Sequence, residues 1–183
     1  MTTYTRVTPT KEEAQIIDGL LTAKFPVTLG SFAKALQCTD LQAGLKLPAE
    51  RATFVALPDG EAFDAFWADL ATWKKVTLMI LKDQHVFEIE GQLHTGKRTQ
   101  GYYNILGKDA TIGGHIAFEQ IIGVLFTAFP FMGRDSYAVQ FIGRDEQVSF
   151  AVYVGRENHQ LIPEVVESWK ATLAKWSGKA LES

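Results

Sequence analysis

The sequence has one cysteine, Cys38, and no apolar run long enough to cross a membrane. A single thiol cannot form an intrachain disulfide, which suits a reducing compartment. The longest apolar stretch begins at Ile121, is about half the length of a membrane-spanning helix and contains a proline. The N-terminus has no basic start followed by an apolar segment, so it does not resemble a signal peptide. These features predict a cytoplasmic protein without a membrane span.

Basic residues are not in excess either. The formal net charge is −3 and the sequence pI is about 5.8, so the chain has no basic footprint for phosphate contacts. Residues 21–37 could be mistaken for a helix-turn-helix DNA reader, but the second helix of that segment carries no cluster of Lys and Arg. We therefore expect no nucleic-acid partner.

The sequence also lacks the motifs of common enzyme classes. It contains no P-loop, no dinucleotide fingerprint and no paired carboxylates, and neither Ser136 nor Ser149 lies in a nucleophile-elbow sequence. His85, His94 and His159 have no metal-ligand spacing to one another, which argues against a structural zinc site. No catalytic site is predicted, and a binding protein is favoured over an enzyme.

The N-terminal part is predicted to be a helical cap over residues 10–73. Thr10 followed by Glu13 forms a capping box, and apolar residues recur after it at helical spacing. A second helix is predicted over 29–38 and a third over 58–75. The third carries an apolar stripe that we assign to the core: Phe63, Phe66, Trp67, Leu70 and Trp73.

The apolar period changes from 3.6 to 2 after residue 75, which predicts strands. Short turns separate them, so a meandering antiparallel sheet that curls toward a barrel is expected over 75–155. A C-terminal helix is predicted over 161–177, with Pro163 in its first turn. The chain is predicted to be one α+β domain, 1–183. The strands are predicted at 76–81, 86–93, 101–106, 111–118, 120–128, 137–142 and 147–154.

Two tyrosines and a histidine lie close together in the middle of the chain. Tyr102 and Tyr103 are neighbours on one predicted strand, so their side chains point to opposite faces and only one can face a given pocket. His115 follows two glycines on the next predicted strand. A phenolate oxygen and an imidazole nitrogen are both axial ligands of haem iron. The alternatives are a core tyrosine beside a surface tyrosine, and a hydrogen-bonded structural histidine.

Other residues of the sequence could contact the carboxylates and the flat apolar ring of a haem. Lys97 and Arg98 could pair with its carboxylates, although solvated loop charges are the alternative. Phe131 and Met132 could line a flat apolar ligand, or belong to the core.

Four blocks of the sequence resemble, in order, the signature blocks of a known family. GYYNILGK, GGHI, FMGRDSYAVQF and VYVGRENHQL are similar to blocks of the cytoplasmic haem-utilisation carrier proteins of Gram-negative bacteria, the HutX/ChuX type. The resemblance extends over most of the chain. It matches Tyr102 to the tyrosine of the family's GY(Y/F)N block and His115 to the histidine of its GGHI block. The loop between these blocks is one residue longer here, which leaves the strand register open.

The resemblance implies intracellular haem binding, storage and transfer, with haem (iron protoporphyrin IX) as the ligand. It implies a split-barrel-like, haem-utilisation-protein-like curved sheet with N-terminal helices and a C-terminal helix. Because the longer haem-handling relatives contain two such repeats, it also implies a homodimer, with a haem-degrading enzyme as recipient. Two alternatives stay open: a haem-degrading, ring-opening enzyme and a flavin-type split-barrel cofactor-binding protein.

Overall fold

The computed structural model describes residues 4–82, 85–131 and 133–179. Within these ranges the chain forms five α-helices and eleven strands. The helices are α1 (Lys11–Leu21), α2 (Leu29–Leu36), α3 (Asp40–Lys46), α4 (Gly60–Leu70) and α5 (Pro163–Lys179). The strands are β1 (Ala52–Ala56), β2 (Val76–Lys82), β3 (His85–Gly91), β4 (Lys97–Thr99), β5 (Tyr102–Ile105), β6 (Gly114–Ile116), β7 (Ile121–Phe131), β8 (Arg134–Gly143), β9 (Val148–Val154), β10 (Arg156–Glu157) and β11 (Gln160–Leu161). No helix of the described ranges combines the length and the apolar character that a bilayer span requires.

Each of the three N-terminal helices begins at a threonine N-cap. Thr10, Thr28 and Thr39 accept a hydrogen bond from the backbone three residues on, and the side chain at that position bonds back to the cap. The capping box predicted at Thr10 is confirmed. Helix α3 was not predicted, because its seven residues are too few to establish a helical period.

The main sheet has six antiparallel strands in the order β1-β7-β8-β9-β2-β3. Two of the predicted strands, 101–106 and 111–118, are absent from it, because they correspond to β5 and β6, which form a separate three-stranded sheet with β4. The predicted meander is therefore wrong in its connectivity, while the α+β class and the predicted β2–β3 hairpin are confirmed. The main sheet ends in the edge strands β1 and β3 and does not close. Strand β1 lies inside the range predicted as a helical cap and is recognised only through its pairing with β7.

Helices cover both faces of the main sheet. Val124 and Leu125 are neighbours on β7 and belong to two different buried clusters, one on each face. Helices α1 to α3 pack on the Leu125 face, whereas α4, α5 and the small sheet pack on the Val124 face. The aromatic stripe of α4 lies in this second core, as predicted, with Phe63 and Trp67 almost fully buried.

The connection between the two sheets is anchored to α4. After β3, Leu93 is 1% exposed, and the indole Nε1 of Trp67 donates a hydrogen bond of 2.9 Å to the carbonyl oxygen of His94. This contact directs the chain away from the main sheet over α4, and β4 begins directly afterwards.

Candidate functional site

A two-residue turn sets the register of the small sheet. Gln100 and Gly101 join β4 to β5 with φ values of 53° and 79°. Two consecutive positive φ values are those of a type I′ turn, whose twist matches that of a hairpin. The turn places Thr99 opposite Tyr102 and Arg98 opposite Tyr103. The side chains of each opposed pair share one face of the sheet.

Tyr103 belongs to the core. It is 2% exposed, and its ring packs edge-on against Phe63 with 5.3 Å between ring centroids. Its phenol oxygen accepts a hydrogen bond of 2.6 Å from the backbone N–H of Gly96. Burial raises the pKa of the Tyr103 phenol, although the Gly96 N–H acts in the opposite direction. A buried, protonated phenol is poorly suited to bind an external ligand.

A close approach of the backbone supports this arrangement. A Cβ atom at Gly96 would lie 2.3 Å from the carbonyl oxygen of Asn104 and 2.8 Å from Cε1 of Tyr103. Only glycine allows β4 to begin this close to β5.

Tyr102 and His115 lie on the opposite, open face of the small sheet. Tyr102 is 46% exposed and His115 is also exposed. Their ring centroids are 6.2 Å apart in an edge-to-face arrangement. The prediction that the two tyrosines point to opposite faces is therefore confirmed, and it is Tyr102 that lies beside the histidine. We call the side chains of Tyr102, Asn104 and His115 the donor face.

Asn104 is the member of the donor face that the sequence reasoning missed. It lies directly opposite His115 in the β5–β6 ladder, and its Oδ1 atom is 2.6 Å from His115 Nδ1. Strand alternation could have identified it, because it is two residues from Tyr102. Leu106 follows β5 and is 77% exposed.

The two basic candidates lie on different faces. Lys97 is opposite Asn104 and therefore shares the donor face, where its side chain is exposed. Arg98 is on the other face: its Nε donates to Asp64 of α4 at 2.8 Å, and its guanidinium carbon lies 5.6 Å from the ring centroid of Phe118. Arg98 thus links the small sheet to α4 and is not brought together with Tyr102.

The two apolar candidates are not part of the small sheet. Phe131 ends β7 in the main sheet and is 38% exposed. Met132 lies outside the described residues. The clefts near Cys38, Lys75 and Pro9 share no residue with the donor face. The donor face is therefore an open surface in the single chain.

The chemistry of the donor face suits iron in a tetrapyrrole. It offers a phenol oxygen and an imidazole nitrogen, both of which are axial ligands of haem iron, and the ammonium group of Lys97 lies on the same side of the sheet. In the part of the chain that the structure describes, no three His, Cys, Asp or Glu side chains come together as a site for a bare metal ion.

Solved structures of the same fold define the class of protein. The heme-binding protein ChuX superposes with a TM-score of 0.74 and 26% identity, over 87% of this chain and 97% of that one. The heme degrading enzyme ChuS of Escherichia coli O157:H7 superposes with a TM-score of 0.70 and 14% identity, over 93% of this chain but 49% of that one. The chain is thus an α+β protein of the haem-utilisation fold, and it corresponds to about half of the longer protein.

Sequence comparison then gives the family. The family model described as haem utilisation ChuX/HutX matches residues 56–172. The intracellular heme transport protein HutX of Vibrio cholerae serotype O1 is 33% identical over 169 residues, which are 91% of this chain and 86% of that protein. The chain belongs to the ChuX/HutX family, which confirms the resemblance of the four sequence blocks.

Proposed function

We propose that this protein binds haem in the cytoplasm and transfers it to a haem-degrading enzyme. The observation that carries the proposal is the exposed phenol of Tyr102 beside the exposed imidazole of His115 on a fold of the ChuX/HutX family. The relative from Vibrio cholerae is an intracellular heme transport protein, and ChuX is a heme-binding protein. Both support a carrier function for this chain.

Tyr102 is the proposed ligand of ferric iron, because Tyr103 is buried and hydrogen-bonded in the core. A phenolate is a hard anionic donor that prefers ferric to ferrous iron, so reduction of the iron weakens its hold. That property suits a carrier, which must release its cargo. In this proposal His115 either binds iron as a second ligand or forms a hydrogen bond with the phenol oxygen. Lys97 is the proposed partner of a haem carboxylate.

The same experiment tests the carrier function and its enzymatic alternative. Purified ligand-free protein is titrated with ferric haem, and the complex is then incubated with ascorbate in the presence of catalase. We expect saturable binding with a phenolate charge-transfer band, and a Soret band that persists with ascorbate because the residues show no catalytic site. Decay of the Soret band to a bile-pigment spectrum with release of iron would show a ring-opening enzyme instead. Bound flavin in the purified protein would support the flavin-type alternative.

A homodimer is proposed because the donor face is open. Binding sites usually bury about 70–90% of a ligand's surface, which a flat, exposed sheet face cannot do alone. The fold of this chain also corresponds to about half of the ChuS chain.

The proposed dimer interface is the edge of the main sheet at β3. This strand is an edge strand, and the β2–β3 hairpin exposes four large apolar side chains. They are Ile80, Leu81, Val86 and Phe87, at 36%, 52%, 54% and 57% exposure.

The dimer proposal predicts that Phe87→Glu shifts the protein to monomer, because a carboxylate would be buried without a partner in the interface. Light scattering of the protein as it elutes from a sizing column measures the change. Phe25→Glu is the matched control, since Phe25 is 58% exposed and lies outside the hairpin. A monomeric wild type, or a dimer that survives Phe87→Glu unchanged, would contradict the proposed interface.

A further inference from the structure

Asn104 has its side-chain amide held in one orientation. Its Nδ2 atom lies 3.0 to 3.2 Å from four oxygen atoms. Three of them are carbonyl oxygens, which only accept hydrogen bonds. A reversed amide would place Oδ1 against the three carbonyl oxygens and lose all three of those bonds, keeping only a bond from the Thr99 hydroxyl, so the network itself assigns the nitrogen. The four acceptors are the carbonyl oxygens of Lys97, Thr99 and Tyr102 and the Oγ1 atom of Thr99.

The orientation of the amide determines the protonation pattern of the histidine. Because Nδ2 faces the β4 strand and the turn, Oδ1 faces His115, at 2.6 Å from Nδ1. An amide oxygen has no hydrogen to donate, so Nδ1 must carry the proton of this bond. In a neutral imidazole the other nitrogen, Nε2, then carries the lone pair.

We infer that Asn104 is a positioning residue: it fixes His115 as the Nδ1–H tautomer and leaves the Nε2 lone pair available on the donor face beside Tyr102. In free histidine the proton prefers Nε2, so this tautomer is imposed by the protein. Asn104 also orders the turn that precedes Tyr102, because the same amide group bonds to Thr99 and to the Tyr102 carbonyl. One side chain thus positions both candidate donors.

The consequence for haem rests on the proposed function. An Nε2 lone pair can bind iron or accept a hydrogen bond from the Tyr102 phenol, whereas an Nε2–H group can do neither. A residue that hydrogen-bonds to a metal-binding histidine ring commonly contributes about 10–100-fold to metal affinity. A neutral amide orients the ring without adding negative charge to a site whose proposed iron ligand is a phenolate.

The tautomer is tested without haem. Protein labelled with ¹⁵N at histidine is measured by NMR in its ligand-free form, at a mildly alkaline pH where imidazole is neutral. We expect a protonated-type shift for His115 Nδ1 and an unprotonated-type shift for Nε2. In Asn104→Leu, which has no acceptor for Nδ1, we expect the two shifts to exchange. Thr99→Val is the control, because it removes one of the four oxygens and leaves three carbonyls to orient the amide.

The outcomes separate this inference from the proposed function. An Nε2–H tautomer in the wild-type protein, or an unchanged tautomer in Asn104→Leu, would overturn the role of Asn104 whether or not haem binds. If the tautomer is as expected, haem titration of Asn104→Leu should show affinity reduced by about 10–100-fold, with Thr99→Val close to wild type. Absence of haem binding by the wild type would refute the proposed function while the NMR result stands.

Discussion

Tyr102→Phe is expected to remove the phenolate charge-transfer band and to weaken ferric haem binding by at least about 100-fold, whereas Tyr103→Phe should leave the spectrum unchanged. Partners that only orient a metal ligand contribute about 10–100-fold, so loss of the ligand itself should cost no less. The two variants remove the same hydroxyl group from adjacent residues, and the structure distinguishes them only by face. Tyr102 is 46% exposed beside His115, and Tyr103 is 2% exposed against Phe63.

Haem titration followed by visible and resonance Raman spectra measures the difference. Tyr103→Phe serves as the control, because its cost is the hydrogen bond from Gly96 and should appear as a loss of stability of about 1 kcal/mol. Loss of the band in Tyr103→Phe but not in Tyr102→Phe would mean that Tyr103 binds the iron. The inner face of the small sheet would then have to become exposed when haem binds. Equal and negligible effects would remove tyrosine from the site altogether and leave His115 as the ligand.

Phe63→Ala is expected to lower the free energy of unfolding by about 3–5 kcal/mol, the largest stability effect that we predict. Phe63 is 1% exposed on α4. Its ring touches four other aromatic rings that belong to α4, to both sheets and to the segment before β7, so its removal leaves a cavity where these elements meet. The four are Trp67, Tyr103, Phe118 and Phe141, at centroid distances of 6.0, 5.3, 6.2 and 6.1 Å.

Urea and thermal unfolding at matched protein concentration measure this change. For a chain of this length, each kcal/mol shifts the thermal midpoint by about 2–4 °C, so a decrease on the order of 10 °C is expected. Phe25→Ala is the control: Phe25 is 58% exposed, and its loss should change stability by no more than about 0.5 kcal/mol. If Phe63→Ala lowered the free energy of unfolding as little as Phe25→Ala, the junction at Phe63 would tolerate the cavity.

Long periodic segments were predicted well from the sequence, and short ones were not. The aromatic stripe of α4 and the β2–β3 hairpin each repeat their pattern over seven or more residues, and both formed as expected. The strands β4 and β6 have three residues each, too few to show an alternation. Their separation from the main sheet depends on tertiary contacts such as that between Trp67 and His94, which no local pattern encodes.

The same limit applies to the site. The opposite orientation of the two tyrosines follows from the period of a strand, and the sequence was sufficient to predict it. The position of Arg98 was not predictable, because it depends on the register that the Gln100–Gly101 turn imposes. Gln-Gly is not among the strong signals for a type I′ turn, which favour Asn or Asp before glycine. The sequence alone therefore could not place the Arg98 side chain relative to Tyr102.

The donor face is built on a sheet whose backbone hydrogen bonds are separate from those of the main sheet. Its inner side, through Tyr103, contributes to the core, while Tyr102 and His115 on its outer side are exposed. Substitutions of these two exposed side chains should therefore change the free energy of unfolding little. The side chains that a ligand would meet can thus change while the scaffold that carries them is retained.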